Sequence, residues 1–397
     1  MKKKLKALYV SHAQIEAGGA EISLKTLANQ FKKDGHEIVY ASIEKDPDFK
    51  THVFKKFRPI YSFELYEMYL SRFLVEVIKK EKPDIIHAND RFAIIPSVIA
   101  AKKANLPVAT HFRDFSLMTT TGLPYIPNHG YLKSFGYREI LRTVPLKRLL
   151  WDLYKYTYIK RRYKIINQAD AKIAISKAIQ EWLEKCGIFN SVVLPNPISP
   201  EKPKKTLSRN KIRKEWGIPD DATVVLFLGG LSIGKGVDMV LKIIKESNRL
   251  KERVYFLLFG GGIEEETIKE LAKKNSRVIY KGRISHDEIY KSYEASDIVL
   301  LPSKMEPFSR IVIESMSMGK PVISSNTGGG KEAITNGKSG FLADPENVEE
   351  WINAINQLIQ DKKLTKKFKF KYPGIIKRYS PDESYKQFLD LYRGLIK

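Results

Sequence analysis

Only one cysteine, Cys186, occurs in this chain of 397 residues. A disulfide framework or a thiolate-built metal site needs more than one, so both are excluded. The seven histidines never fall at the HxxH or HExxH spacing that sets two imidazoles on one helical face, which removes the zinc-hydrolase class. Long apolar runs are also missing. Charge-free stretches such as 222–234 are too short and too broken by glycine to span a bilayer. Acidic residues are scarce beside basic ones: 45 Asp and Glu against 69 Lys and Arg leave a net charge of +24. That surplus points to an anionic partner, whether lipid, nucleic acid or a phosphorylated substrate. Apolar residues are not scarce. At 43 % they exclude general disorder, and the length implies two domains.

The chain starts Met1-Lys2-Lys3-Lys4, like an export signal, but Lys6 interrupts the apolar run 5–10 and polar Ser11-His12 follow. The run reads as a first buried strand, and a cytoplasmic protein is expected. Short apolar runs then alternate with amphipathic stretches: strands at 37–42, 84–87, 107–112, 171–176 and 191–194, helices around 22–31, 94–101 and up to Lys185. This rhythm predicts an α/β fold with parallel sheets covered on both faces. A second set has strands at 223–228, 254–259, 277–280, 297–301 and 321–325. Ser285 and Glu288 form a capping-box pattern before one of its helices. The expected organisation is a Rossmann-like doubly wound domain over 1–197 and a linker over 198–215. A second such domain follows over 216–375, then a final helix over 376–397. The histidines His12, His36, His52 and His129 read as surface or turn residues, and Cys186 as a small structural one.

Chemistry concentrates after strands. Glu306-Pro307-Phe308-Ser309-Arg310-Ile311 leads from a strand into a helix that carries Glu314. In open parallel sheets ligands sit beyond the carboxyl ends of strands, and a helix N-terminus there offers free N–H groups to an anion. A carboxylate at such a place accepts hydrogen bonds from vicinal hydroxyls; the plainer reading is a helix-start carboxylate favoured by the dipole. Gly229-Gly230-Leu231-Ser232-Ile233-Gly234-Lys235 also follows a strand, without the Walker A spacing. Gly260–Gly262, Gly328–Gly330 and Gly18-Gly19-Ala20-Glu21 sit similarly.

Taken together, these segments resemble the retaining glycosyltransferases of the GT-B fold, family 4 (glycosyltransferase group 1 type). The resemblance is densest over 223–345 and includes Lys235, the Glu306/Glu314 pair and Gly319-Lys320-Pro321-Val322. It implies two Rossmann-like domains facing across a cleft and transfer of a glycosyl group with retention, without a metal or other cofactor. The donor would be a nucleotide sugar such as a UDP- or GDP-sugar. Glu314 would take the ribose and Lys235 the diphosphate, while Glu306 would lie against the sugar. The backbone at Phe308, Ser309, Arg310 and Ile311 would hold sugar and phosphate. Gly230 and Ile284 would line the donor site, and Gly18 and Gly19 would close over the phosphates. The catalytic candidates are His111, Arg113, Asp114 and Glu306. Counted from Pro107, the family's histidine position falls on Arg113, with His111 two residues earlier, and both stay candidates. The family's usual arginine five residues before the lysine is here Gly230, with Arg310 or Lys331 as substitutes, and its usual glycine after Phe308 is Ser309.

Residues 131–164, inside a basic aromatic insertion over 115–165, hold ten Lys and Arg against Glu139 and Asp152, plus eight aromatics. That mixture suits an anionic membrane surface; the alternative is a pair of amphipathic helices with core-facing aromatics. The sequence thus predicts a transferase acting on a lipid-linked or glycan acceptor, peripheral to the inner face of the cell membrane. Rival readings are another GT-B enzyme (epimerase or phosphorylase), an inactive sugar-nucleotide-binding protein, or a nucleic-acid binder. The last lacks any RNP, KH or zinc-knuckle motif.

Overall fold

A computed structural model describes residues 4–12, 19–58, 62–115, 125–126, 130–131, 137–199, 207–283 and 286–396. The chain divides into two compact units, Met1–Ile198 with Tyr379–Lys397, and Ser199–Arg378.

The first unit begins β1 (Lys6–Ser11), α1 (Gly19–Lys33), β2 (Glu37–Ser42), β3 (Lys50–Val53), α2 (Phe63–Glu81), β4 (Ile85–Ala88), α3 (Ile94–Ala104) and β5 (Val108–Phe112). The two-residue strands β6 (Tyr125–Ile126) and β7 (Gly130–Tyr131) precede α4 (Tyr137–Thr143), α5 (Leu146–Ile166), β8 (Ala171–Ala174), α6 (Lys177–Lys185) and β9 (Ser191–Val193). Seven strands run parallel in the order β3-β2-β1-β4-β5-β8-β9. Strands β1, β4 and β5 are buried on both faces, which is why they read as unbroken apolar runs. Nothing in the sequence reading covers 43–83, where β3 and α2 lie. The strand is a four-residue edge without apolar alternation, and α2 opens on Ser62, whose hydroxyl accepts from the Leu65 amide.

The second unit comprises α7 (Arg209–Glu215), β10 (Thr223–Leu228), α8 (Val237–Lys245), β11 (Val254–Phe259), α9 (Glu265–Lys274), β12 (Val278–Tyr280), α10 (His286–Ala295), β13 (Ile298–Leu301), α11 (Arg310–Ser317), β14 (Val322–Ser325), β15 (Phe341–Ala343), α12 (Val348–Gln360) and α13 (Lys362–Arg378). Its parallel sheet has the order β12-β11-β10-β13-β14-β15. Both sheets change direction of winding beside their first strand, between β1 and β4 and between β10 and β13. Those switch points are where such sheets place ligands.

Two expectations need correction. The polar run read as linker is helical from Arg209, and Arg213 is wholly buried. Its guanidinium donates to the carbonyls of Ala222, Asp220 and Ala295 and pairs with Asp297 at 2.8 Å, so all three of its nitrogens have protein acceptors in place of water. His12 and His36 are buried rather than on the surface: His12 Nε2 accepts from the Phe57 amide, and His36 Nδ1 from the Leu5 amide. His52 pairs with Glu81 at 2.8 Å. His129 and Ser285 lie outside the described residues. Within the basic aromatic segment, residues 137–143 and 146–166 form a helical hairpin, α4–α5.

After α13 the chain returns to the first unit as α14 (Pro381–Leu395). Its Phe388, Leu389 and Tyr392 join Tyr9, Leu27, Phe31 and Ile173 in one buried cluster. No described helix is long and apolar enough to cross a membrane.

Candidate functional site

In the second unit, four loops gather at the carboxyl ends of β10, β11, β13 and β14. Glycine lets them touch backbone to backbone. A Cβ on Gly260, whose φ is +141°, would stand 1.8 Å from the Gly229 carbonyl oxygen, and one on Gly328 would stand 2.4 Å from that of Glu306. These glycines are therefore needed by the packing of the loops themselves. Gly230 differs: a Cβ there meets nothing nearer than the Gly261 oxygen at 3.9 Å, so its bareness leaves open space. Lys304 ties the loops together from beneath. Wholly buried, it reaches Asp238 at 3.0 Å and Glu346 at 2.8 Å, while its amide donates to the Gly234 carbonyl and its own carbonyl accepts from the Thr327 hydroxyl.

Above these ties lies a cavity of about 310 Å³. Its lining includes Gly229, Gly230 and Gly261 of the glycine loops, Ile311 and Glu314 of α11, and Tyr293 and Arg283. The Glu314 carboxylate is held at both oxygens, by the Tyr293 hydroxyl at 3.2 Å and by Arg310 at 3.2 Å. Burial, with Glu314 beside it, drives the Tyr293 phenol well above its ordinary pKa, so the phenol stays a donor. Beside the cavity, Lys235 and Glu306 form an ion pair at 2.7 Å, and the Ser303 hydroxyl also donates to Glu306. Ser309 is the buried N-cap residue of α11, and Phe308 before it is half-buried.

Thus the structure brings Gly230, Ile311 and Glu314 onto one cavity and pairs Lys235 with Glu306 next to it. Ile284 and Gly18 lie outside the described residues. Arg310 is engaged by Glu314. Sequence reading missed Arg283 and Tyr293. Arg283 sits after β12, at the same sheet edge as the other loops, so the strand-end rule extended by one strand finds it. Tyr293 lies within α10, and only tertiary packing aims it at Glu314.

In the first unit, a cavity of about 290 Å³ opens at the carboxyl ends of β4 and β5, lined by Ala20, Glu21, Asn89, Asp90, His111 and Arg113 among others. Gly19 begins α1 beside it. His111 is wholly buried, and burial, then Arg113 and His87, hold its pKa well below the usual histidine value, so it is neutral. Its Nδ1 lies 3.2 Å from His87 Nε2. Arg113 is buried too, with its pKa lowered by burial to about 10, and remains a cation at neutral pH. It donates to the Ala20 carbonyl at 2.6 Å and to Asn196 Oδ1 at 3.0 Å. Asp114 is exposed. Asp90, unforeseen from sequence, accepts from the Phe92 and Ala93 amides and the Ser11 hydroxyl, with a further short bond from the His12 amide. Among the described residues no His, Cys, Asp and Glu cluster could hold a metal ion.

Comparison with known proteins adds a family context. Residues 17–202 match the model of Glycosyltransferase Family 4, and residues 208–371 that of Glycosyl transferases group 1. An uncharacterised glycosyltransferase of Methanocaldococcus jannaschii is 24 % identical over 87 % of this chain and 86 % of its own. A lipopolysaccharide 1,2-N-acetylglucosaminetransferase of Salmonella typhimurium is 30 % identical over 49 % of this chain and 54 % of its own. Among solved structures, a glycosyltransferase from Rickettsia africae superposes with a TM-score of 0.76 at 21 % identity, covering 99 % of each chain. Anabaena HepE in complex with UDP gives 0.75 at 22 %, covering 98 % of this chain and 100 % of that one.

Proposed function

This chain belongs to the group 1 glycosyltransferases of the family 4 type, with the two-domain Rossmann-like GT-B fold, and on that premise we propose that it moves a sugar from a nucleotide-sugar donor to a lipid-linked or glycan acceptor at a membrane surface. The observation that carries this reading is the cavity of the second unit, where a carboxylate fixed at both oxygens faces bare glycine backbone. Glu314 accepts the ribose hydroxyls there. Lys235, released from Glu306, meets the diphosphate, and the freed Glu306 turns to the sugar. Arg283 supplies a cation in the same cavity as Gly230.

The transfer retains the anomeric configuration and needs no metal. The C1–oxygen bond to the diphosphate breaks as the acceptor oxygen bonds to C1, and the leaving phosphate takes the acceptor's proton. Lys235 and the N–H groups that open α11 stabilise the charge that develops on the diphosphate. In the first unit Arg113 is the cation offered at the cavity, with His111 neutral behind it. Gly18, Gly19 and Ile284 keep their proposed place around the donor. Supporting a nucleotide donor, Anabaena HepE has been solved with UDP and with UDP-glucose. Supporting a glycan or glycolipid acceptor, the Salmonella relative acts on lipopolysaccharide.

The test is thermal stabilisation by a panel of UDP- and GDP-sugars. At least one raises the melting temperature of the wild-type chain, and Glu314→Ala weakens that ligand by about tenfold or more, as loss of a hydrogen-bonded charged group does. A panel in which no nucleotide sugar stabilises the wild type overturns the proposal.

A further inference from the structure

Leu146 and Leu150 are 85 % and 83 % exposed, and they sit one helical turn apart at the start of α5. Leu141, at 59 %, lies on α4 just before the turn. Single exposed leucines are ordinary, but three around one helical hairpin tip are a built apolar feature. The hairpin's aromatics are occupied elsewhere: Trp151 and Tyr158 stack on Phe63 of α2, and Tyr154 packs against it at a tilt.

The described exposed charges around the tip are of one sign: Lys147 and Arg148 at the start of α5 and Arg138 on α4, with Lys160, Arg161 and Lys164 exposed about 21–27 Å further along α5. Of the acids on the hairpin, Asp152 is buried and faces Arg148 at 3.7 Å. The described outer surface therefore presents leucine and cations together. A nucleic acid would use the cations and leave the leucines in water. An anionic bilayer uses both, since acyl chains take the leucines and headgroups the cations.

We propose that the α4–α5 tip is a two-part membrane anchor that inserts Leu141, Leu146 and Leu150 into an anionic lipid surface and pairs the flanking cations with its headgroups. This deepens, and rests on, the membrane-surface reading above, and it bears on the acceptor. Lys155, nine residues along α5 from Leu146, lies about 14 Å from the tip. It shares a small pocket with Arg91 and Phe92, which also line the cavity holding Asn89 and Arg113. A lipid whose tail stays at the tip can thus present its polar head to that cavity.

The test is sedimentation with vesicles of phosphatidylcholine, with and without phosphatidylglycerol, using the full chain. The wild type binds the anionic vesicles at least about tenfold more tightly than the neutral ones. The double variant Leu146→Ser/Leu150→Ser loses about tenfold or more at every salt concentration. The double variant Arg138→Gln/Lys147→Gln weakens binding mainly at low salt and flattens its salt dependence. All three keep the thermal stabilisation by nucleotide sugar, which separates this proposal from the donor reading. Wild-type binding indifferent to lipid charge, or a leucine variant that binds as tightly as wild type, overturns it. So does a wild type that ignores vesicles and binds single-stranded RNA.

Discussion

Arg283 lines the glycine-walled cavity without an ion-pair partner among the described residues, whereas Arg310 and Lys235 are held by Glu314 and Glu306. A cation so placed is available to an incoming phosphate or base without first breaking a bond. Arg283→Ala is expected to weaken nucleoside-diphosphate binding by roughly tenfold, with part recovered by Lys, whose point charge lacks the planar fork. Calorimetric titration with UDP and GDP reads this, and unchanged affinity would remove Arg283 from the site. The buried histidines give a second residue-scale prediction. Burial and Arg113 lower the pKa of His87 to about 3 and hold that of His111 well below normal. The folded state thus keeps both neutral, while the unfolded chain protonates them below about pH 6.5. Stability is full above that value and falls as pH drops, by about 1.4 kcal/mol per pH unit for each group once well below it. His12 and His36, also lowered by burial, act in the same direction. Glu81, lowered to about 2 by Lys50, His52 and Lys6 against its own desolvation, loses its contribution only below the carboxylate range. Urea unfolding at about pH 7.5 and about pH 5.5 should differ by several kcal/mol, and His111→Gln should shrink the difference. Equal stability at the two values would contradict the assignment.

At the scale of elements, the loops after β10 and β11 separate two uses of glycine that the sequence writes identically. Gly260 is required because its φ is positive and an added Cβ would collide with the Gly229 carbonyl, so Gly260→Ala should cost more than about 2 kcal/mol. Gly230→Ala has room, and should leave unfolding within about 0.5 kcal/mol of wild type while narrowing the cavity beside it. Denaturant unfolding of the pair checks both, and equal losses would show that the two positions serve one purpose. The same scale shows what sequence pattern could and could not carry. The strands of both sheets were legible because burial on two faces writes them as continuous Val, Ile, Leu and Phe runs. Edge strands β3 and β15 were not, because Lys50-Thr51-His52-Val53 and Phe341-Leu342-Ala343 are short and bury too little to leave a pattern. Nor was α7, whose polar composition hides a buried arginine satisfied by carbonyls distant in sequence.

On the scale of the whole molecule, each unit owns a core, and the first is completed by the last helix of the chain. Phe388 and Tyr392 are wholly buried against α1 and β1, and the Tyr392 hydroxyl lies 2.7 Å from His87 Nδ1. Phe388→Ala should therefore destabilise the first unit by about 3–5 kcal/mol. Amide hydrogen exchange should quicken in β1 and α1 while β10 and β11 keep their protection. Loss of protection confined to the second unit would contradict this packing.

Sequence by itself determined the kind of fold and pointed to the strand ends where Lys235, Glu306 and Glu314 of the proposed site lie, because period, punctuation and strand-end position are local properties of a chain. Only the tertiary structure decided who meets whom. It paired Lys235 with Glu306, set Tyr293 and Arg310 on Glu314, brought Arg283 into the same cavity as Gly230, and sealed four supposed surface or catalytic histidines into buried or half-buried contacts. The scarcity of cysteine and acid excluded whole classes of chemistry. It could not say that the hairpin's one described acid turns inward and leaves leucine beside cation, because facing is a matter of packing between elements far apart in sequence.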